Sequence, residues 1–301
     1  MEIIKRRLSR HIERCAYIRS IEIDVHQYNR NFLRDFFFNA IDKNQSKPFE
    51  TVVVNYHGGP FNSEKKGFLM TITESVLNLN AKDLILNNYS KIVGKRETEI
   101  SHLSLFEGNL ILKNWRLKGD PECLVSSFAK SIDLHGFDVD GKSSQFSDRS
   151  EMSLSFLVNC PQLVHLKMDN SNFFMDNLVI KYFDENRYLK SKLILPKLTQ
   201  LEFTNVVNLD LFFRMSKTEQ LDSISIKDSI FQFHKENYIF LSKVTHLSIS
   251  NCQNTDEDFI VTLFLSNLPR LKTLIIENSP SFSDPILSKV RDFKVKNVVI
   301  K

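Results

Sequence analysis

Cysteine is scarce and unpatterned: Cys15, Cys123, Cys160 and Cys252 form no C-x-x-C pair and no regular ladder in 301 residues. A disulfide framework is not built on such spacing, so the four read as reduced core residues of an intracellular protein. Long apolar runs are missing as well. No stretch approaches the ~20 residues of a membrane span, and Met1-Glu2-Ile3-Ile4-Lys5-Arg6-Arg7 lacks the apolar core of a secretion signal. The expectation is a cytoplasmic or nuclear protein with no membrane partner. An excess of one charge is also absent. The net charge is +4 from 40 Lys and Arg against 36 Asp and Glu, whereas a dedicated nucleic-acid binder is expected to be basic throughout.

Catalytic signatures are absent too. The chain has no G-x-x-x-x-G-K-[ST], no G-x-G-x-x-G, no H-E-x-x-H and no G-x-S-x-G. His57-Gly58-Gly59-Pro60 has the look of an esterase oxyanion loop, but without a nucleophile elbow it reads as a turn closing a strand. Asp138 and Asp140, between Gly136 and Gly141, offer too few oxygen ligands for calcium. His135, His165 and His246 fall on different predicted strands and form no clear ligand set. The expectation is a protein that is not an enzyme, with no catalytic residue, metal or cofactor.

What the chain does have is one phrase, repeated. Leu221-x-x-Ile224-x-Ile226, Val244-x-x-Leu247-x-Ile249 and Leu271-x-x-Leu274-x-Ile276 each read apolar-x-x-apolar-x-apolar and run into a tract containing Asn or Asp. Upstream the template continues as Leu198-x-x-Leu201-x-Phe203, Leu163-x-x-Leu166-x-Met168 and Ala129-x-x-Ile132-x-Leu134. It loosens through Leu110-x-Leu112, Ala81-x-x-Leu84-x-Leu86, Phe49-x-x-Val52-x-Val54 and Ile18-x-x-Ile21-x-Ile23, and Val295-x-x-Val298-x-Ile300 ends the series. Ile100-x-x-Leu103-x-Leu105 also fits, but it lies seven residues before Leu110 and is assigned to packing outside the strands. The fourth-position residues are spaced 31, 32, 26, 22, 34, 35, 23, 23, 27 and 24 apart. A unit of that size cannot bury its own apolar face, so it must stack. With 42% apolar residues and 25 Phe, a continuous core is within reach.

Between strands the period changes to that of a helix. Asp256-Glu257-Asp258 before Phe259, Ile260, Leu263 and Phe264 sets acidic residues at a helix start. Ser283-Asp284-Pro285 before Ile286 and Leu287, and Asp120-Pro121-Glu122 before Leu124, Val125 and Phe128, do the same. Phe32, Leu33, Phe36, Phe37, Ala40 and Ile41 form another apolar stripe. Residues 1–17 read as an N-terminal capping helix, with Ile4, Leu8, Ile12 and Cys15 on one side and Lys5, Arg6, Arg7, Arg10 and Arg14 on the other. The basic side is either a solvated face or a contact for nucleic acid or a membrane surface.

These units resemble leucine-rich repeats. Leu247-x-Ile249-x-x-Cys252 with Thr255-Asp256, Leu268-Pro269-x-Leu271, Asn159-Cys160-Pro161-x-Leu163, and Ser279-x-x-Phe282-Ser283-Asp284 resemble the cysteine-containing subfamily found in F-box proteins and related adaptors. The resemblance is good from about Leu157 to Asp284. It implies an α/β solenoid (a horseshoe) over residues 18–301, with about eleven irregular repeats, a parallel concave sheet and convex helices. It also implies an adaptor, such as the substrate-recognition part of a ubiquitin ligase. Residues 1–17 contain no proline and leave no room for the Leu-Pro-opened helices of an F-box, so the expectation is a truncated or F-box-less relative, or an adaptor unrelated to ubiquitin.

In that register the fifth position of each strand faces outward from the middle of the concave sheet. The row reads Glu22, Val53, Ile85, Ile111, Asp133, Lys167, Glu202, Ser225, Ser248, Ile275 and Val299. Val53, Ile85 and Ile111 form an apolar patch flanked by Glu22 and Asp133, the usual mark of a protein contact. Tyr56 and Lys113 are expected beside it as an aromatic anchor and a rim charge, and Lys167 continues the row. The expected partner is a protein on the concave face. The other reading of the row is a covered surface, or a strand register off by one.

Overall fold

The computed structural model describes residues 19–25, 49–57, 81–89, 106–114, 129–136, 150–153, 157, 160–174, 193–229, 243–252, 268–279 and 295–300. Along them run β1 (Ser20–Val25), β2 (Thr51–Tyr56), β3 (Asp83–Asn88), β4 (Asn109–Lys113) and β5 (Ser131–His135). Next come β6 (Ser150–Ser153), β7 (His165–Asp169), β8 (Ser171–Phe174), β9 (Leu193–Leu195) and β10 (Gln200–Thr204). The helix α1 (Leu209–Met215) then precedes β11 (Ser216–Thr218), β12 (Ser223–Lys227), β13 (His246–Ser250), β14 (Thr273–Glu277) and β15 (Asn297–Ile300). Eleven strands make one sheet in the order β1-β2-β3-β4-β5-β7-β10-β12-β13-β14-β15, each parallel to its neighbours.

Each expected repeat supplies one strand of this sheet, and the register is the expected one. Ile21, Val52, Leu84, Leu110, Ile132, Leu166, Leu201, Ile224, Leu247, Leu274 and Val298 are successive Cα partners. The cause is the alternation of side chains across a strand. Fourth and sixth positions turn to one face, where nearly all are buried in a single continuous core. A one-residue slip would turn that whole set to solvent, so burial pins the register. First-position residues Ala129, Leu163, Leu198, Leu221, Val244 and Leu271 join the same core.

Two kinds of turn set the corners of the repeat. Asn114, Asn170, Asn205, Asp228, Asn251 and Asn278 follow their strands with φ between 46° and 62°. Asn and Asp tolerate this left-handed conformation better than other side chains. The turn also hands a bond to the next repeat: the N–H of Asn205 donates to Lys227 O, that of Asp228 to Ser250 O, and that of Asn251 to Glu277 O, at 2.8–2.9 Å. At the equivalent place after β5 stands Gly136, where a Cβ would lie 1.7 Å from Asn170 O, so only glycine fits. On the way into a strand the chain uses proline turns. In Cys160-Pro161-Gln162-Leu163, Leu195-Pro196-Lys197-Leu198 and Leu268-Pro269-Arg270-Leu271 the fourth N–H donates to the first carbonyl at 3.1–3.3 Å. Proline at the second place holds φ near the −65° such turns need.

The residue after five of the left-handed turns points back into the protein. Ser171, Val206, Ser229, Cys252 and Ser279 occupy this column and all are buried. Ser229 Oγ donates to Lys227 O and accepts the N–H of Val206 in the preceding repeat, and Ser279 Oγ treats Glu277 O and the N–H of Cys252 likewise. Cys252 Sγ reaches Ser250 O at 3.2 Å, so thiol and hydroxyl are interchangeable here. Burial raises the Cys252 thiol above its ordinary pKa, offset in part by backbone hydrogen bonds with Ser229 and Ser250, with Asp228 adding a smaller upward push.

Elsewhere β6 pairs with β8, and β9 with β11, as two short parallel pairs. Against this region packs α1, which buries Leu209, Phe212 and Phe213 at helical spacing. Phe212 stacks on Phe173 at 5.3 Å and meets Phe203 edge-on at 5.5 Å, a geometry aromatic rings prefer. The helices expected over 4–15, 32–41, 120–128, 256–264 and 283–287 lie outside the described residues. So do Cys15, Cys123, Asp138, Asp140 and the 100–105 phrase.

Candidate interaction face

The face opposite the core carries the odd positions of every strand in three parallel rows. The middle row is Glu22, Val53, Ile85, Ile111, Asp133, Lys167, Glu202, Ser225, Ser248, Ile275 and Val299, each the Cα partner of the next. Strands lie ~4.8 Å apart, so consecutive members are lateral neighbours. Val53, Ile85 and Ile111 are therefore one half-buried apolar ridge, with Glu22 exposed on one side and half-buried Asp133 on the other. Lys113 is exposed at the third row, between Asn87 and His135.

Tyr56 is not on this face. It is 6% exposed and belongs to the core. The reason is parity: β2 runs through Tyr56, which continues the inward series of Val52 and Val54. After β4, β7, β10, β12, β13 and β14 the same position is a left-handed Asn or Asp, whose chain has already turned away. The aromatic group at this end of the sheet is Tyr89, just past β3 and 50% exposed. It stacks on His57 with ring centroids 5.2 Å apart, and His57 Nε2 lies 3.1 Å from Asp24 Oδ1. No sequence pattern marked that trio, because its members come from three repeats and lie at strand ends.

Beside the ridge runs an amide ladder. Asn55 Nδ2 donates to Glu22 Oε1 at 2.7 Å and to Asp24 Oδ1 at 3.1 Å, and Asn87 Nδ2 donates to Asn55 Oδ1 at 2.8 Å. Both asparagines are at least nine-tenths buried, so the ladder fixes the β1 carboxylates against the sheet. Its free end is Asn87 Oδ1, buried and without a hydrogen-bond donor among the described residues.

Past the ridge the face becomes ionic. Lys167 Nζ lies 3.6 Å from Asp133 Oδ2. His135 bridges Asp133 at 3.0 Å and Asp169 at 3.6 Å, and His165 Nε2 lies 3.3 Å from Glu202 Oε1. Despite these short distances, Asp133 Oδ1 and His165 Nε2 hold no hydrogen bond among the described residues. The two histidines sit on adjacent strands, on opposite sides of the middle row. Among the described residues no cluster of His, Cys, Asp or Glu is arranged to hold a metal ion, and no helix is long and apolar enough to cross a membrane. Beyond β10 the middle row carries Ser225 and Ser248 before Ile275 and Val299, with exposed Lys227 and His246 in the rows beside it.

Comparison of the chain with family models, with curated proteins and with solved structures gave no match.

Proposed function

We propose that the chain is a non-enzymatic interaction module that binds one protein partner on the outward, concave face of its sheet. In this reading the architecture is a leucine-rich-repeat solenoid of the cysteine-containing kind, with helices on the convex side. The observation that carries it is the ridge of Val53, Ile85 and Ile111, three apolar side chains on consecutive strands of the non-core face. Lys113, Asp133, Lys167 and Glu22 surround it as a polar rim, the anatomy of a protein contact. The residues brought together beside the ridge are carboxylates paired with histidines and lysine. They serve recognition better than chemistry.

Replacing Ile85 and Ile111 with Asp tests this. The double variant should lose partner capture in an affinity purification while keeping its far-UV spectrum and melting transition; undiminished capture would remove the site. The narrower reading, substrate recognition for ubiquitin transfer, rests on the repeat resemblance and predicts co-purification with a ligase scaffold adaptor in cross-linked material. The nucleic-acid alternative rests on the basic face of residues 1–17, which lie outside the described residues. The acidic groups around the ridge would repel a phosphate backbone.

A further inference from the structure

Resting on the concave-face reading, we propose that the occupant is an amphipathic α-helix of a partner protein, apolar along its middle and cationic at both ends. The first argument is one of pitch. Val53, Ile85 and Ile111 stand on consecutive strands, so the ridge is ~9.6 Å long. Residues i, i+4 and i+7 of a helix share a face and span ~10.5 Å. Three same-face residues of an extended segment span ~13 Å, about one residue out of step. A helix laid across the strands meets one apolar side chain per strand.

The second argument is charge. Glu22 is one strand before the ridge and Asp133 one strand after it, ~19 Å apart along the row. The nearest positions on the same helical face, i−3 and i+11, lie 14 residues and ~21 Å apart, so cations there fall close to the two carboxylates. Asp24 and Asp83 add to the negative field, and Lys113 is the one lysine or arginine at the outward positions of β1 to β5. The chain as a whole is +4, so this face runs against the charge of its own protein.

The test is calorimetric titration of the full chain with a synthetic helical peptide carrying Leu at i, i+4 and i+7 and Lys at i−3 and i+11. Saturable one-to-one binding is expected. It should weaken at least tenfold when both Lys become Glu, when a proline interrupts the helix, or when the protein carries Ile111→Asp. Val53→Thr, nearly the same in shape, should weaken it several-fold with an unchanged melting curve. Asp133→Lys should shift the preference toward the Glu-ended peptide. Equal binding of the Glu-ended or proline-interrupted peptide, or no binding of any peptide, would overturn the helix. So would a concentration-dependent dimer abolished by Ile111→Asp, which assigns the face to a second copy. These failures leave the broader concave-face reading standing; that reading falls only if partner capture survives the Ile85 and Ile111 substitutions.

Discussion

A hydroxyl in the column behind the left-handed turns makes two bonds, both to backbone. Ser229→Ala strips the acceptor from the N–H of Val206 and the donor from Lys227 O in a buried setting. The cost should be about 1–3 kcal/mol in chemical denaturation. Ser229→Cys should recover most of it, because Cys252 already fills an equivalent place; equal losses for Ala and Cys would discredit the column. The Cys252 thiol has a sign to check as well. Its pKa is raised in the fold, so the folded protein keeps a proton that the unfolded chain releases above about pH 8.5. The associated stability is whole below that pH and drains away as pH climbs toward the folded value. Native protein should therefore lose melting temperature in mild alkali faster than Cys252→Ser does. Tyr56 belongs to the same scale. Its inward direction was legible from Val52 and Val54 by alternation alone, because β2 runs on through Tyr56.

At the scale of elements, long alternation was readable and short pieces were not. Eleven strands had an apolar pair two residues apart and a polar exit, so their register followed. The pairs β6–β8 and β9–β11 are three or four residues long, too short to show a period, and the two turns of α1 carry no capping side chain to announce them. The fourth repeat lacks an apolar first position because Phe106, one residue early, enters the core instead of Glu107. Gly108 permits that shift: a Cβ there would stand 2.2 Å from Lys82 O and 2.7 Å from the Phe106 ring. The α1 contact predicts its own cost. Phe212→Ala removes a fully buried ring packed on Phe173 and Phe203, and should cost about 3–5 kcal/mol. A change under about 1 kcal/mol would mean that α1 does not cover this region of the core.

For the whole molecule the governing fact is that each strand of the large sheet pairs only with the one before and the one after. Stability is then close to a sum of repeat and interface contributions, and among the described residues β1 and β15 each have one paired side. Amide hydrogen exchange should be slowest in β7, β10 and β12 and quicken toward both ends; uniform protection would contradict this. The same architecture explains why the ridge could be read from sequence while the polar stretch beyond it could be located but not its pairings. Val53, Ile85 and Ile111 share one repeat position, so a register is enough to align them. His135, His165, Asp133, Asp169 and Glu202 come from three different positions, and only the geometry of adjacent strands joins them.

The left-handed asparagines and the in-register ladder also decide how the molecule bears tension. Pulled from its two ends, the chain loads the terminal strand across its hydrogen bonds, so they break in succession as a zipper opens. Each repeat of 22 to 35 residues that peels away frees roughly 80–130 Å of slack. Held between an anchored partner and a moving one, such a protein yields in small, graded steps and re-forms from whatever repeats remain stacked.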